Sequence, residues 1–475
     1  MAKRVRRYSF KEGTVERMYD FKHDILLRLV KLLNVILAFI PFFVSWRLYY
    51  LDQVYAMPFF WKGNVVISLL FMILYSLFGR VYDAFKVSLN TISEMVYSEA
   101  LAAFVTDFIM YIVLLLIIRG FPNVLLMIAV FLCQIVLFMI WSKLANGWYF
   151  KTFPPKNTAV IYDERKGMED LVEEYGMTKK FAINHILHVS ECLDSGLKNL
   201  DEYRPEAVFL CGVHSHDRNI ILKYCVKNNI TVYVIPRIGD TLMSSARRIH
   251  MLHLPVLRVD RYTPDVEYAV IKRTFDILLS LAAVIILFPI LLITALSIKI
   301  EDGGPVLYRQ IRLTKDGKQF YLMKFRSMRI DAEKDGIARL STGASDDRIT
   351  RTGRVIRRYR IDELPQLFNI LLGQMSIVGP RPERPSIAKQ YEKELPEFAL
   401  RLQVKAGLTG YAQVYGKYNT MPYDKLMMDL MYIAHASILE DIRIIFATIK
   451  ILFIPESTEG IAEGEITAQR KNDAA

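Results

Sequence analysis

Five stretches of this sequence are apolar over lengths that suit a helix in hydrocarbon, and a soluble core has no room for that many. Four come early: Ile25 to Tyr50, Val65 to Phe78, Leu101 to Ile118 and Val124 to Trp141. Arg28 and Lys31 near the start of the first run move its lipid-facing part to about Leu32, and the second run is short. Together they predict a membrane protein with a four-helix transmembrane bundle over residues 1–150. Basic residues gather at the N-terminus (Lys3, Arg4, Arg6, Arg7), after the second run (Arg80, Lys86) and after the fourth (Lys143, Lys151, Lys156). The intervening loops hold little more than Lys62 and Arg119. That asymmetry predicts a cytoplasmic N-terminus and a cytoplasmic segment after the fourth span. The N-terminus lacks the short apolar core and small-residue cleavage site of a cleaved signal.

Hydrophobic residues make up 53% of the chain, and the formal net charge is +12. Such a charge can face nucleic acid, an anionic leaflet or phosphate-bearing substrates, and the apolar runs favour the last two. Nucleic acid is therefore not expected as a partner. Of the four cysteines, Cys133 lies inside an apolar run, while Cys192, Cys211 and Cys225 are widely spaced, so neither a disulfide framework nor a thiolate metal site is expected.

Residues 151–265 have a different texture. After a linker at Thr152 to Pro155, the short runs Ala159 to Tyr162, Ala207 to Leu210 and Thr231 to Ile235 alternate with helical stretches such as Arg218 to Lys227. This is the rhythm of a Rossmann-like α/β domain with parallel strands. The first strand runs into Tyr162-Asp163-Glu164-Arg165-Lys166-Gly167, without the glycine-rich turn that brings backbone close to a pyrophosphate. A regulatory or oligomerising role is the better expectation. The pairs His185 and His188, His214 and His216, and His250 and His253 read as surface or core histidines rather than as metal ligands.

The fifth apolar run, Thr274 to Ile298, lies in residues 266–300 and is flanked by cations at both ends: Lys272 and Arg273 before it, Lys299, Arg309 and Arg312 after it. Pro289 sits near its middle, where the ring bends a helix. Both facts predict a re-entrant membrane helix that breaks at Pro289 and returns to the side it came from. A plain fifth span would instead put residues 300–475 on the far side and reverse the charge rule.

Residues 301–455 are expected to form a mainly α (α+β) domain, opened by Gly303-Gly304-Pro305 and a strand-like run at Val306 to Gln310. Lys324, Arg326 and Arg381 stand in short segments among Phe325, Gly379, Pro380 and Pro382, a setting in which a fixed cation binds phosphate. The arginines from Arg348 to Arg360 read more simply as attachment to anionic lipid. Next comes Asp362-Glu363-Leu364-Pro365-Gln366-Leu367-Phe368-Asn369. Taken by itself it reads first as a helix start, with Asp362 capping the first turn, Pro365 within it and Leu364, Leu367 and Phe368 facing a core. Its second use is as a pair in which one carboxylate attacks phosphorus and the other holds a divalent cation. Spacing leaves both open. Beyond it, Ile438 to Phe453 reads as a helix with one apolar face, and residues 456–475 as a polar tail.

Four segments occur in order: Lys324-Phe325-Arg326-Ser327-Met328, Asp362 to Asn369, Gly373 to Pro382 with Met375-Ser376-Ile377-Val378-Gly379-Pro380-Arg381-Pro382, and Gly407-Leu408-Thr409-Gly410-Tyr411-Ala412-Gln413-Val414. From about Tyr268 to Phe453 the chain resembles the bacterial sugar transferase family, the monotopic polyprenyl-phosphate phosphoglycosyl transferases. Its four spans and α/β domain resemble the long form of that family. The resemblance implies transfer of sugar-1-phosphate from a UDP-sugar to undecaprenyl phosphate with release of UMP. This would be the first membrane step of exopolysaccharide, capsule or O-antigen assembly at the bacterial inner membrane, with the catalytic domain on the cytoplasmic face. It implies Asp362 as nucleophile, Glu363 as Mg²⁺ ligand, and Arg381, Lys324 and Arg326 on phosphate. It leaves the sugar open between glucose, galactose and an N-acetylated hexosamine, and a homodimer open as well. Phe288 precedes Pro289 where members commonly carry serine, and Tyr411 stands where many have tryptophan. Other readings are direct transfer in a ternary complex, transfer to a hydroxyl with release of UDP, and a catalytically inert membrane scaffold.

Overall fold

The structure is a computed structural model that describes residues 25–55, 59–88, 91–163, 166–174, 176–251, 253–329, 348–416 and 421–452. The basic cluster at Lys3 to Arg7 and the polar tail 456–475 lie outside the described residues. The chain forms two compact units, Met1–Ile235 and Pro236–Ala475.

In the first unit the early apolar runs become α1 (Ile25–Gln53), α2 (Trp61–Val81), α3 (Ile92–Ile118) and α4 (Val124–Thr152), each long and apolar enough to cross a membrane. Only 22–33% of their most apolar windows is buried inside the protein, so most of that surface faces outward, as lipid-facing helices require. The few polar groups within these helices turn toward one another, because a lone polar group in hydrocarbon is costly. Glu99 of α3 accepts from Asn34 Nδ2 of α1 (2.7 Å) and from Ser142 Oγ of α4 (2.8 Å), and Tyr75 of α2 donates to Asn34 Oδ1 (2.9 Å). One buried network thus takes a side chain from each of the four helices.

A parallel four-stranded sheet follows: β1 (Lys156–Tyr162), β2 (Phe181–His188), β3 (Ala207–Cys211) and β4 (Thr231–Val234), in the spatial order β2-β1-β3-β4. The helix Ser215–Lys227 crosses between β3 and β4, and Ile221 and Cys225 on it pack with Ala159, Ile161, Val208 and Leu210. This is the expected parallel α/β arrangement. β2 is the strand that the pattern did not announce: in its sequence, Phe-Ala-Ile-Asn-His-Ile-Leu-His, Asn184 and His185 break the apolar run that marks the other three. His185 stacks on Tyr203, while His188 and His214 each stand 3.9 Å from Asp163.

The second unit contains the antiparallel pair β5 (Arg247–Met251) and β6 (Leu254–Arg258), then the long helix α5 (Val266–Asp302). An antiparallel hairpin comes next, β7 (Leu307–Leu313) and β8 (Gln319–Phe325), followed by α6 (Arg351–Arg358) and α7 (Gln366–Leu371). β9 (Ser376–Val378) and β10 (Gly407–Thr409) form a short parallel pair, and helices Pro422–Ala434 and Ile438–Leu452 close the chain.

The secondary structure of α5 is not interrupted: it stays helical through Pro289 for 37 residues, where the sequence predicted a break. A proline removes one amide donor and can bend a helix without ending it. Both ends of α5 are held by the same domain. Toward its start, Arg273 donates to the carbonyls of Ile370 (2.7 Å) and Leu371 (2.9 Å), and Asp276 accepts from the Ile377 amide (2.9 Å) and the Ser376 hydroxyl (3.1 Å). At its end, Asp302 pairs with Arg326, and Glu301 accepts from the amides of Arg351 (2.8 Å) and Thr352 (3.2 Å). Between these anchors, Ala283 and Val284 pack on Phe320, Leu367 and Ile370, and Leu291 and Ile298 pack on Phe325 and Ile356.

Candidate active site

The site begins with a close approach of two backbone segments. Thr350 caps α6 by accepting from the Gly353 amide (2.9 Å), and a Cβ on Gly353 would run into the Ser327 carbonyl. Only glycine lets α6 lie this near the end of β8. After α6 the chain must reverse, and Arg360 does so in the left-handed region (φ 53°) at a cost of about 1–2 kcal/mol for a residue with a side chain. Ile361–Glu363 then form a single 3₁₀ turn. Pro365 stands immediately before α7, where its missing amide hydrogen costs nothing. Asp362 therefore lies within the preceding turn and does not cap α7. Leu367 enters the core as its apolar character suggested, whereas Phe368 stays exposed.

Asn369 ties this segment to the hairpin. Its side chain is fully buried, accepts from the Met323 amide (2.9 Å), and donates to the carbonyl of Tyr321 (2.8 Å) and the side chain of Gln374 (2.7 Å). The residue after Met323 is Lys324, so the clamp fixes that lysine relative to the acidic turn. Lys324 Nζ donates to Glu363 Oε1 at 2.8 Å. Arg381 Nη2 reaches the same oxygen at 3.1 Å. Arg381 is delivered by the loop after β9, where three glycines allow two strands to touch. A Cβ on Gly379 would strike the Lys405 carbonyl, and one on Gly407 or Gly410 would strike Gly379 itself. The glycines in the last two sequence segments thus serve backbone packing, and through it the placement of Arg381.

The two adjacent carboxylates have opposite electrostatic character. Burial alone would raise the Glu363 carboxyl, but Lys324 and Arg381 beside it hold it well below the usual range, so it is an anion. Burial pushes the Asp362 carboxyl up; Lys324 opposes that shift and the Glu363 charge reinforces it. Among the described residues no side chain hydrogen-bonds or ion-pairs with Asp362. The result is a carboxylate left available beside one that is already neutralised.

Arg326 lies apart from this pair. It is buried, and its Nη2 pairs with Asp302 at the end of α5, while Nε and Nη1 have no hydrogen-bond partner among the described residues. The sequence placed Lys324, Arg326 and Arg381 together; the fold brings only Lys324 and Arg381 onto Glu363. Four charged residues that sequence reasoning did not assign to the site lie behind Arg381: Glu383, Arg401, Lys425 and Arg312. Each is separated from its partners by tens of residues, so no local pattern announced them.

No three His, Cys, Asp or Glu side chains gather as a metal site among the described residues. Magnesium needs fewer protein ligands, commonly one or two carboxylates completed by water and substrate phosphate. Glu363 Oε2 makes no hydrogen bond to a described residue, and Asp362 is its neighbour in sequence. These donors suit a hard cation.

Residues 267–455 match the family described as Bacterial sugar transferase. Over 202 residues the chain is 43% identical to the exopolysaccharide production protein PSS of Rhizobium leguminosarum bv. phaseoli, covering 40% of this chain and 97% of that protein. The chain belongs to the bacterial sugar transferase family. Another bacterial sugar transferase relative is the UDP-N-acetylgalactosamine-undecaprenyl-phosphate N-acetylgalactosaminephosphotransferase of Aeromonas hydrophila, 40% identical over 232 residues, or 48% of this chain and 54% of that one. A third is the UDP-glucose:undecaprenyl-phosphate glucose-1-phosphate transferase of Klebsiella pneumoniae, 41% identical over 193 residues, or 40% of this chain and 41% of that one. The match thus spans about half or less of these two longer relatives. All three alignments are too short to cover both units of this family member.

Proposed function

We propose that this bacterial sugar transferase moves sugar-1-phosphate from a UDP-sugar to undecaprenyl phosphate through a covalent intermediate on Asp362. The observation that carries the reading is an Asp362 carboxylate that no described side chain hydrogen-bonds, beside a Glu363 clamped by Lys324 and Arg381. In the first step an Asp362 oxygen bonds to the β-phosphorus, and the bond from that phosphorus to the bridging oxygen breaks, releasing UMP. In the second, an oxygen of the lipid phosphate attacks the same phosphorus and returns Asp362 as a carboxylate. The acyl phosphate keeps the transferred group reactive, so a diphosphate linkage is remade without ATP. Lys324 and Arg381 face the charge that builds on the phosphoryl oxygens. Mg²⁺ would be held by Glu363 Oε2 and neighbouring carboxylate oxygen, and would neutralise the diphosphate. The relatives' names give both glucose and N-acetylgalactosamine as the sugar, and both remain candidates here.

The acceptor is a lipid, and the anchoring of α5 supports delivery at the membrane surface. A helix that crossed the bilayer would leave the catalytic fold at one end only, yet Arg273 and Asp276 near one end and Glu301 and Asp302 at the other bind one fold. A path that enters and leaves the inner leaflet, bent at Pro289, accounts for both anchors. In that arrangement the protein is a multi-pass protein of the bacterial inner membrane, its catalytic unit faces the cytoplasm, and it starts assembly of a surface polysaccharide.

Incubating the purified protein with Mg²⁺ and a UDP-sugar labelled in the β-phosphate tests the covalent step. With the lipid omitted, one equivalent of UMP and label on the protein are expected, and Asp362→Asn loses both. UMP formation that requires the lipid would replace this mechanism with direct transfer; release of UDP would replace the reaction itself.

A further inference from the structure

The loop that carries Arg381 has every carbonyl from Pro380 to Glu383 bound by a donor from another part of the fold. Pro380 accepts from the Gly407 amide (2.9 Å) and Glu383 from the Leu313 amide (3.0 Å). Arg381 accepts from Arg401 Nη2 (3.0 Å) and Pro382 from Arg312 Nη1 (3.0 Å). Two of the four donors are guanidinium groups, and the Arg401 side chain is only 2% exposed. A buried guanidinium is retained only where anions compensate it. Asp429, 1% exposed, lies 2.7 Å from Arg401. Glu383 lies 3.6 Å from Arg401, 3.0 Å from Lys425 and 4.0 Å from Arg312. The loop therefore supplies, through Glu383, part of the charge that keeps its own clamps in place. These groups lie behind Arg381, and Arg401 reaches it through its backbone carbonyl.

We propose that Arg401, held by Asp429 and Glu383, is a positioning residue: by binding the Arg381 carbonyl it sets the Arg381 guanidinium at Glu363 and so at the phosphate of the sugar nucleotide. This rests on the reading of Arg381 as a phosphate ligand. A displacement near 1 Å at such a group can cost roughly a hundredfold in rate. Two features separate positioning from general stability. A positioning Arg401 affects substrate binding through Arg381 alone, so its effect vanishes once Arg381 is removed, and a buried ion pair exchanged for apolar side chains of similar size often leaves stability unchanged.

The experiment measures UDP-sugar affinity by calorimetry in an Asp362→Asn background, which binds without turnover, with Mg²⁺ and the full chain in detergent. The double variant Arg401→Met with Asp429→Leu is expected to weaken binding by about tenfold, the equivalent of one charge-assisted hydrogen bond. Arg381→Ala is expected to weaken it at least as much. The combination of all three should be no weaker than Arg381→Ala alone. Parental affinity in the double variant, or a combined loss equal to the product of the two separate losses, overturns the proposal. Arg401→Lys keeps the charge but not the fork; should the apolar swap fail to fold, this variant carries the same cycle, with a smaller loss that again vanishes beside Arg381→Ala. If the Asp362→Asn parent binds no UDP-sugar, the function proposed above fails instead.

Discussion

The helix α5 is as apolar as α1 to α4, yet its polar residues serve a different end. In α3, Glu99 bonds among the described residues to Asn34 and Ser142 on neighbouring apolar helices, so the polar groups close on one another. In α5, Arg273, Asp276, Glu301 and Asp302 reach amides, carbonyls and an arginine of the catalytic fold. Apolar length alone cannot tell these helices apart. Where their charges go, and what receives them, does.

The comparison is most exposed to a topology measurement. Single cysteines introduced at Glu267 and Pro305, in a chain whose four native cysteines are replaced, should both react with a membrane-impermeant maleimide from the same side. Reaction from opposite sides would make α5 a span like the other four. A smaller effect comes from pH. Lys425 and Arg401 hold the buried Glu383 carboxyl down at about 2, against the pull of burial, from an ordinary value of 4.5. A folded-state value below the unfolded one means stability that is fully present above about pH 4.5 and lost as pH falls toward 2. Its size is on the order of 3 kcal/mol. Thermal unfolding of the catalytic unit should therefore show a pH slope in that window, and Glu383→Gln should flatten it; an unchanged slope would remove Glu383 as the hub. The smallest contrast lies within the helices themselves. Asp276→Ala leaves the Ile377 amide and Ser376 hydroxyl without their acceptor and should cost about 2 kcal/mol. Glu99→Gln keeps one oxygen for Asn34 and turns its amide nitrogen into a donor toward the Ser142 hydroxyl oxygen, and should cost about 0.6 kcal/mol. Equal losses of melting temperature would dissolve the distinction.

Much of this architecture could be read from the sequence, for identifiable physical reasons. The five apolar helices were legible because hydrocarbon demands an unbroken length that few other structures need. Three of the four parallel strands were legible because each carries an apolar run, and β2 was not because Asn184 and His185 interrupt its apolar residues. The acidic pair and Arg381 were legible as parts of motifs. The pairings around them were not: Arg326 binds Asp302, 24 residues away, instead of joining Lys324 and Arg381, and Arg401 binds the Arg381 carbonyl across 20. Such pairings are decided by how the chain closes on itself. The uninterrupted helix through Pro289 had the same origin, since a proline signals a bend and the surrounding packing determines whether the helix ends.

A helix fastened at both ends to one fold has its insertion depth set by that fold. In such an arrangement α5 meets a single leaflet, and a thicker or thinner bilayer leaves it unstretched, whereas α1 to α4 must tilt or shift to match the new span. The carboxylate at Asp362 would then keep its height relative to the headgroups as lipid composition changes, and the distance a prenyl-linked phosphate travels to reach it would stay the same.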